Sequence, residues 1–466
     1  MAQVRRRKKI GPAAGARTAA LLSLLEVEAG GFPEEALDRH AADLDRRDRA
    51  LAAALVYGVL RRRLRLDWTL KHFLKTPDKP LGPAVENILR LGLFQLHYLD
   101  RIPSSAAVNE SVKLAKAYGP AWSVKLVNAV LRSVTRAGKI PDPAASGLPL
   151  TEQWAVEHSH PVWLVERWVQ ELGRKETLAL LAADNTVPPL TLRINPARTT
   201  REELVRLLAG AADRIETSPY SPYGLSLYGP TGPVNKLPGY NEGLFAVQDE
   251  AAQVIGLLAG PKPGEKALDA CAGRGGKSLH LAGLSPARVI ALDPDLVRLL
   301  QGRQEAGRLD LDSLVFIQGD LIEAPPFRHE SFDLVLVDAP CSNLGVIRRR
   351  PDIKWLKARP DPARLAGLQK RLLAAAADLV KPGGRLIYAV CTLTPEETTG
   401  VIEEFQKRRP GFTLRPAGDF LPQSARPLVA DDGLVRAWPH RHNTDGFFAA
   451  VFMKKTQRPL TRTGSP

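Results

Sequence analysis

The chain has 466 residues, is 44% hydrophobic and 25% charged, and holds only three cysteines, the composition of a folded soluble protein of roughly two to four domains. No apolar run reaches the roughly 18–20 residues a membrane span requires. The N-terminus lacks the apolar core of a secretory signal, and three scattered cysteines make no disulfide framework, so a cytoplasmic protein free of any membrane is expected. The net charge of +15 is uneven: residues 1–150 carry 25 Lys+Arg against 14 Asp+Glu, and the remainder carries 40 against 36. A basic segment joined to a near-neutral one predicts that the first grips a polyanion, nucleic acid before all, while the second works on it.

Residues 1–12 read as a basic flexible arm. From 13 to 140 the apolar spacing is helical throughout. One stripe begins at Leu21, Leu22, Leu24 and Leu25, a second runs through Leu51, Leu55, Val56, Val59 and Leu60, and a third through Leu66, Trp68, Leu70, Phe73 and Leu74. Ile88 to Tyr98 is apolar nearly all round, as in a central buried helix. Ser104-Ser105 is expected to cap the next helix, and a last one runs from about Ala121 to Thr135.

Residues 138–152, rich in Pro and Gly, read as a linker. The segment 141–242 then predicts a small α+β subdomain, with helices near 161–173, 175–183 and 200–210 and strands at Leu190–Ile194, around Arg214–Glu216 and at Leu225–Leu227. From 243 to 456 strand and helix alternate: strands Lys266–Ala270, Val289–Asp293, Leu314–Gly319, Asp333–Asp338 and Arg385–Val390, with helices between them. That pattern predicts a parallel sheet covered on both faces. The run Phe448–Met453 predicts an antiparallel last strand, and 457–466 a flexible tail.

All three cysteines fall at strand C-termini, where open α/β sheets bind ligands. Cys271 opens the loop Cys271-Ala272-Gly273-Arg274-Gly275-Gly276-Lys277 between the first strand and its helix, where backbone can approach a ligand closely. A P-loop would need glycine where Cys271 stands, and a dinucleotide loop would need a third glycine at Ser278. S-adenosylmethionine needs neither, and acids at the next strand ends, Asp293 and Asp320, suit its ribose and adenine. The pattern favours S-adenosylmethionine over a nucleotide. Helix capping is the plainer role for the two acids.

Cys341 and Cys391 end neighbouring strands, and Asp338 stands three residues before Cys341. Carbon 5 of a pyrimidine becomes nucleophilic only after a thiolate adds to carbon 6, and a second group must then take the carbon-5 proton. Asp338 would contact the pyrimidine edge and favour that addition. Without a CxxC pair, no metal site is expected. Cys271 reads as packing.

The loop 269–278, Asp338-Ala339-Pro340-Cys341-Ser342, the run Gly345 to Trp355, and Cys391-Thr392-Leu393 resemble the RsmB/Nop (Sun) family of RNA 5-methylcytosine methyltransferases. Val108-Asn109-Glu110-Ser111-Val112 and Val127 to Arg132 resemble the NusB fold. The resemblance covers nearly the whole chain. It implies an N-terminal NusB-like RNA-binding bundle and a Rossmann-like class I methyltransferase sheet. It also implies Cys391 as nucleophile, Cys341 assisting product release, and residues 271–277 with Asp293, Asp320 and Asp338 holding S-adenosylmethionine. The implied product is 5-methylcytosine in 16S ribosomal RNA of the small subunit, made by a monomer. The same chemistry on transfer RNA or another ribosomal site, and a non-catalytic RNA-binding or antitermination factor, stay open as alternatives. Two departures stand out: Gly273-Arg274 replaces the family's Ala-Pro, and Val390 and Thr392 flank Cys391 where Thr and Ser are usual. Arg348, Arg349, Arg350 and Lys354, close after Cys341, are expected to hold RNA phosphates.

Overall fold

The computed structural model describes residues 15–356 and 360–456; the expected arm and tail lie outside them. The chain forms two compact units, one of residues up to Thr186 together with the segment from Arg350, the other of Val187–Arg349 and the chain from Pro360.

The first unit is helical: α1 (Ala16–Glu28), α2 (Pro33–His40), α3 (Arg46–Lys71), α4 (Pro83–Tyr98), α5 (Ser104–Tyr118), α6 (Ala121–Ala137), α7 (Leu150–His158) and α8 (Val162–Asp184). Leu21, Leu55, Val59, Ile88, Leu91, Val127 and Leu131 share one buried core, so α4 is the enclosed helix its all-round apolar sequence predicts. Two expected segments, 51–60 and 66–74, are largely one helix, α3, because no proline interrupts 46–71 and its one glycine, Gly58, packs under the Phe94 ring. Pro103, not a serine, takes the cap position of α5, with no side-chain cap bond. The linker reading overran, since α7 begins at Leu150. Gly173, at φ +77°, divides α8 into the two helices expected.

The second unit holds two sheets. The smaller is antiparallel, in the order β2–β3–β1–β4, from β1 (Leu190–Ile194), β2 (Ala212–Thr217), β3 (Gly224–Pro230) and β4 (Phe245–Val247), with α9 (Arg201–Leu207) between β1 and β2. β4 was missed by sequence reading because three residues carry too little alternation to register. The larger sheet comprises β5 (Lys266–Asp269), β6 (Arg288–Asp293), β7 (Leu314–Gln318), β8 (Phe332–Asp338), β9 (Val380–Val390), β10 (Phe412–Arg415), β11 (Val435–Ala437) and β12 (Phe447–Lys454). Its order is β10–β12–β9–β8–β5–β6–β7, with β11 paired to β12. β5 to β9 run parallel and β12 antiparallel to β9, as expected.

Helices α10 (Glu250–Ala259), α11 (Gly276–Leu284) and α12 (Leu296–Leu309) pack with Ala291, Leu336, Ile387 and Ala389 in one core. Helices α13 (Pro362–Leu379) and α14 (Thr399–Arg408) pack with Leu292, Val337, Tyr388 and Val390 in another. Alternate residues of β9 thus enter opposite cores, which is why its second half, residues 386–390, is apolar without a break. A four-residue helix, α15 (Pro439–His442), precedes β12. No described helix is long and apolar enough to cross a membrane.

Candidate active site

Cys341 and Cys391 come together because β8 and β9 are adjacent and parallel, with Asp338 in register with Ala389. The Ala339 amide extends the ladder to the Ala389 carbonyl at 2.9 Å. The two Sγ atoms lie 3.2 Å apart, as free thiols. Cys341 is buried and Cys391 partly exposed. The neighbouring Cys391 thiol and then burial push the Cys341 pKa well above the ordinary value.

Several contacts fix this pair. The Gly345 amide donates to the Cys391 carbonyl at 3.0 Å, and the Gly446 amide to the Gly345 carbonyl at 2.7 Å. A Cβ on Gly345 would stand 2.2 Å from the Gly446 carbonyl oxygen, so only glycine permits this approach. Ser342 Oγ donates to Thr392 Oγ1 at 3.0 Å, and the Ser342 amide to the buried Glu397 carboxylate at 2.8 Å. Thr392 therefore ties the two cysteine loops together, while Val390 packs in the core. Asn343, left-handed at φ +59°, donates from Nδ2 to the Cys341 carbonyl and accepts from Cys391 Sγ at 3.0 Å. Glu397 and Asn343 escaped sequence reading. Only the left-handed tolerance of an Asn two residues past Cys341 could have signalled the latter.

Asp338 ends β8 and pairs with Lys277 at 2.5 Å. Burial works against the Lys277 ammonium, yet Asp338 outweighs it and its pKa stands raised. Lys277 Nζ also lies 5.0 Å from the centre of the Phe447 ring, within cation–π range. Cys271 packs against the second core, and burial, then neighbouring carboxylates, push its thiol pKa well up, in line with the packing reading.

The glycine loop turns through left-handed geometry at Gly273 (φ +55°) and Gly275 (φ +80°). No atom lies within 4 Å of where a Cβ on Gly273 or Gly276 would stand, leaving open space along this backbone, as a ligand cradle requires. Positive φ at Gly273 is also the use of that departure from the family loop, while Arg274, beside it, is exposed. Asp293, buried at the end of β6, accepts from the Gly273 amide at 2.8 Å and from the Asp295 amide at 3.0 Å. Asp320 is exposed and accepts from the Ile322 and Glu323 amides. Neither acid caps a helix: Asp295 takes the N-cap of α12, Asp293 braces the glycine loop and the turn before that helix, and Asp320 closes a turn. Asp269, which the sequence reading places at the start of the loop without a role, accepts from Ser278 Oγ at 2.6 Å.

The four basic residues assigned to RNA phosphates are placed otherwise. Arg348 is 1% exposed and is bound by Asp445 and Asn443. Arg349 pairs with Asp249 and Asp445 and donates to the Pro189 carbonyl. Within the helical unit, Arg350 pairs with Asp352. There too, buried Lys354 donates to the Arg61 and Ser159 carbonyls. Charge desolvation explains the correction for Arg348, Arg349 and Lys354: enclosed cations need fixed partners, which occupy the donors meant for phosphate, while Arg350, its side chain 39% exposed, is held by Asp352. Trp355 packs, donating to the Leu60 carbonyl at 2.6 Å. The described residues hold no cluster of three metal-ligating side chains.

Three family models match this chain: 16S rRNA methyltransferase RsmB/F over residues 256–453, the NusB family over 14–136, and the RsmF/B-like ferredoxin-like domain over 160–235. A probable ribosomal RNA small subunit methyltransferase B of Synechocystis is 38% identical, covering 90% of this chain and 94% of its own. The similarly named protein of Bacillus subtilis is 36% identical, covering 89% and 92%. The chain belongs to the RsmB/F family of 16S rRNA methyltransferases, which depend on S-adenosylmethionine. Among solved structures, PH0851 is similar with a TM-score of 0.78 at 26% identity, covering 96% of this chain and 100% of its own. NSun6 from Pyrococcus horikoshii, solved with SFG, shares the fold at a TM-score of 0.54 and 21% identity, over 62% of this chain and 97% of its own. Family membership accounts for the NusB-like bundle, the small middle domain and the mixed methyltransferase sheet together.

Proposed function

We propose that this protein methylates carbon 5 of a cytosine in 16S ribosomal RNA, through a covalent bond between Cys391 and carbon 6 of the base. The observation that carries the reading is the pair of thiols 3.2 Å apart at adjacent strand ends, beside the Lys277–Asp338 pair. Oxygen or nitrogen methylation has no use for two thiols. Residues 271–277 with Asp293 would hold S-adenosylmethionine, and Asp320 would stand near its adenine. Bound there, that cofactor supplies an electrophilic methyl group.

The target base must leave its stack to enter such a pocket. Asp338 accepts from the exocyclic amine of cytosine, and the same carboxylate repels the carbonyl that uracil carries there. Cys391 Sγ, as thiolate, adds to carbon 6, and the electron pair moves into the ring toward carbon 5. Lys277, kept charged by Asp338, faces the negative charge that builds there. After carbon 5 is methylated, its proton must leave so that the carbon 6–sulfur bond can break and release the thiolate.

The thiols differ in a way that orders their roles. Cys341 is held as a thiol by its neighbour and by burial, which leaves Cys391, the more exposed, to attack. Once the Cys391 sulfur is bonded to carbon, it neither holds the Cys341 proton by hydrogen bonding nor repels a second charge. Cys341 then ionises more readily and stands within reach of the carbon-5 proton. The test is transfer of labelled methyl from S-adenosylmethionine to 16S ribosomal RNA lacking the mark. Label recovered as 5-methylcytosine with wild type and not with Cys391→Ala is expected; label on another atom or base would sink the reading.

A further inference from the structure

The positive charge of the helical bundle is concentrated on one hairpin, α5–α6. Residues 15–100, which form α1 to α4, hold 13 Lys+Arg against 12 Asp+Glu and are nearly neutral. Residues 101–141 hold seven Lys+Arg against one acid, Glu110, which is paired with Lys113. Helix α6 carries no acidic residue over its 17 positions, not even in the first turn, where the helix dipole favours one.

That excess faces outward in a single line. Trp122, Lys125, Ala129, Arg132 and Arg136 are exposed, at the spacing of one helix face, while Val127, Val130, Leu131 and Val134 enter the core behind them. The line runs roughly 20 Å along the helix, at about 1.5 Å per residue. Trp122, at its head, is 53% exposed. Among the described residues no acid pairs with Lys125, Arg132 or Arg136, and Arg136 donates to the Ser133 hydroxyl.

Arg132 and Arg136, one turn apart, repel each other at a small cost to the helix. A merely solvated face mixes both signs and gains from its ion pairs; this one does not. A line of cations without acids matches a chain of phosphates. An exposed indole beside it offers a stacking surface to an unpaired base. The same charge opposes pairing with this face on a second copy of the chain.

We propose, on the reading that RNA is the methyl acceptor, that the solvent face of α6 docks an unpaired segment of that RNA. Trp122 stacks on a base, and Lys125, Arg132 and Arg136 contact phosphates.

Full-length protein is titrated with a short single-stranded RNA of mixed sequence, and with the same sequence fully paired, by filter binding at several salt concentrations. The triple variant Lys125→Glu, Arg132→Glu, Arg136→Glu should bind at least about tenfold more weakly at low salt. Its slope of log affinity against log salt should fall by about 2, the counterions of three phosphate contacts on a single strand. Trp122→Ala should lose roughly fivefold to a hundredfold on the single strand, the worth of one stacked base, and less on the duplex, with the slope unchanged. Cofactor affinity and unfolding temperature confirm that each variant is folded; the corresponding triple Gln variant serves if the Glu one is not. Wild-type affinity and slope in the triple variant overturn the proposal and leave the face to an acidic partner. A Trp122→Ala variant that loses nothing, or loses as much on paired RNA, overturns docking of an unpaired strand. Binding lost in these variants while wild type transfers no methyl group would support the docking face and sink the proposed chemistry, so the two fail separately.

Discussion

Asn343 accepts a hydrogen bond from the Cys391 thiol at 3.0 Å while its own amide donates to the carbonyl of Cys341. One left-handed residue on the first cysteine loop thereby sets the rotamer of the thiol on the second. Replacing Asn343 by Ala removes that link and leaves both sulfurs in place. The turnover number should fall roughly tenfold, the cost of about 1.4 kcal/mol of lost positioning, with cofactor affinity unchanged. Asn343→Asp, which preserves the acceptor and tolerates the left-handed backbone, adds a charge beside the thiol. Its pH–rate profile should shift alkaline, because a nearby carboxylate disfavours the thiolate. Steady-state kinetics across pH check both, and an Ala variant with wild-type turnover would remove Asn343 from the mechanism.

The two cysteines should fail differently. Cys391→Ala abolishes methyl transfer and any protein–RNA adduct. Cys341→Ala still forms the carbon 6–sulfur bond but releases it slowly, so a shifted protein–RNA band that survives reducing agent should accumulate. Denaturing gels after incubation with RNA and cofactor read this directly. The reverse pattern would exchange the roles.

The coupling between the thiols has a measurable sign. Cys391 and burial together raise the Cys341 pKa, so at a given pH Cys341 carries less thiolate than an ordinary cysteine. Removing the neighbour in Cys391→Ala takes away the largest cause and should bring the Cys341 titration to lower pH. Thiolate ultraviolet absorbance, with Cys271 replaced by Ala to clear the background, follows it. An unmoved titration would mean that burial alone holds the proton.

The sheet and the thiol pair were legible because both depend on local pattern: unbroken apolar runs such as 334–337 and 386–390 mark a doubly covered sheet, and two cysteines at the ends of neighbouring strands must meet. The arginine run was not. In sequence, Arg348-Arg349-Arg350 looks like a solvated phosphate clamp, since the acids that claim Arg349 stand 100 and 96 residues away and charge runs reveal nothing of distant partners. Asn343 was hidden for a similar reason. Its role needs a positive φ and a closed loop, neither of which composition encodes.

Asp293 braces the glycine loop through the Gly273 amide while standing where a ribose would bind. Asp293→Ala should therefore weaken S-adenosylmethionine by roughly tenfold to a hundredfold, losing hydrogen bonds to a charged acceptor and the loop's shape together. RNA affinity should stay within about twofold. Calorimetric titration with cofactor and filter binding with RNA separate the two, and equal losses in both would point to general unfolding.

Arg348 is a stability residue on this structure. Arg348→Leu leaves the buried Asp445 carboxylate with one cation fewer, at an expected cost of about 3–5 kcal/mol, read from urea unfolding. RNA affinity of the folded fraction should be unchanged. A stable variant with weakened RNA binding would restore the phosphate-clamp reading.

Asp269 sits fully enclosed beneath the cofactor loop, where burial first, partly offset by the Ser278 hydroxyl, raises its pKa to about 6. A carboxyl whose folded pKa exceeds its unfolded one binds its proton more tightly in the native state. It favours folding fully below the unfolded value near 3.8, and that benefit is lost as pH rises through about 6. Above that point the native protein carries a buried carboxylate that the unfolded chain would solvate freely. Asp269→Asn keeps an acceptor for Ser278 and never ionises. Its stability relative to wild type should therefore be least favourable near pH 4 and improve by up to about 3 kcal/mol by pH 8, the free-energy equivalent of the pKa shift. Because Glu250 and Asp445, also raised, titrate in both proteins, their contribution cancels in the difference. Paired urea denaturation across that pH range measures it, and a difference that stays flat with pH would mean Asp269 ionises as easily folded as unfolded.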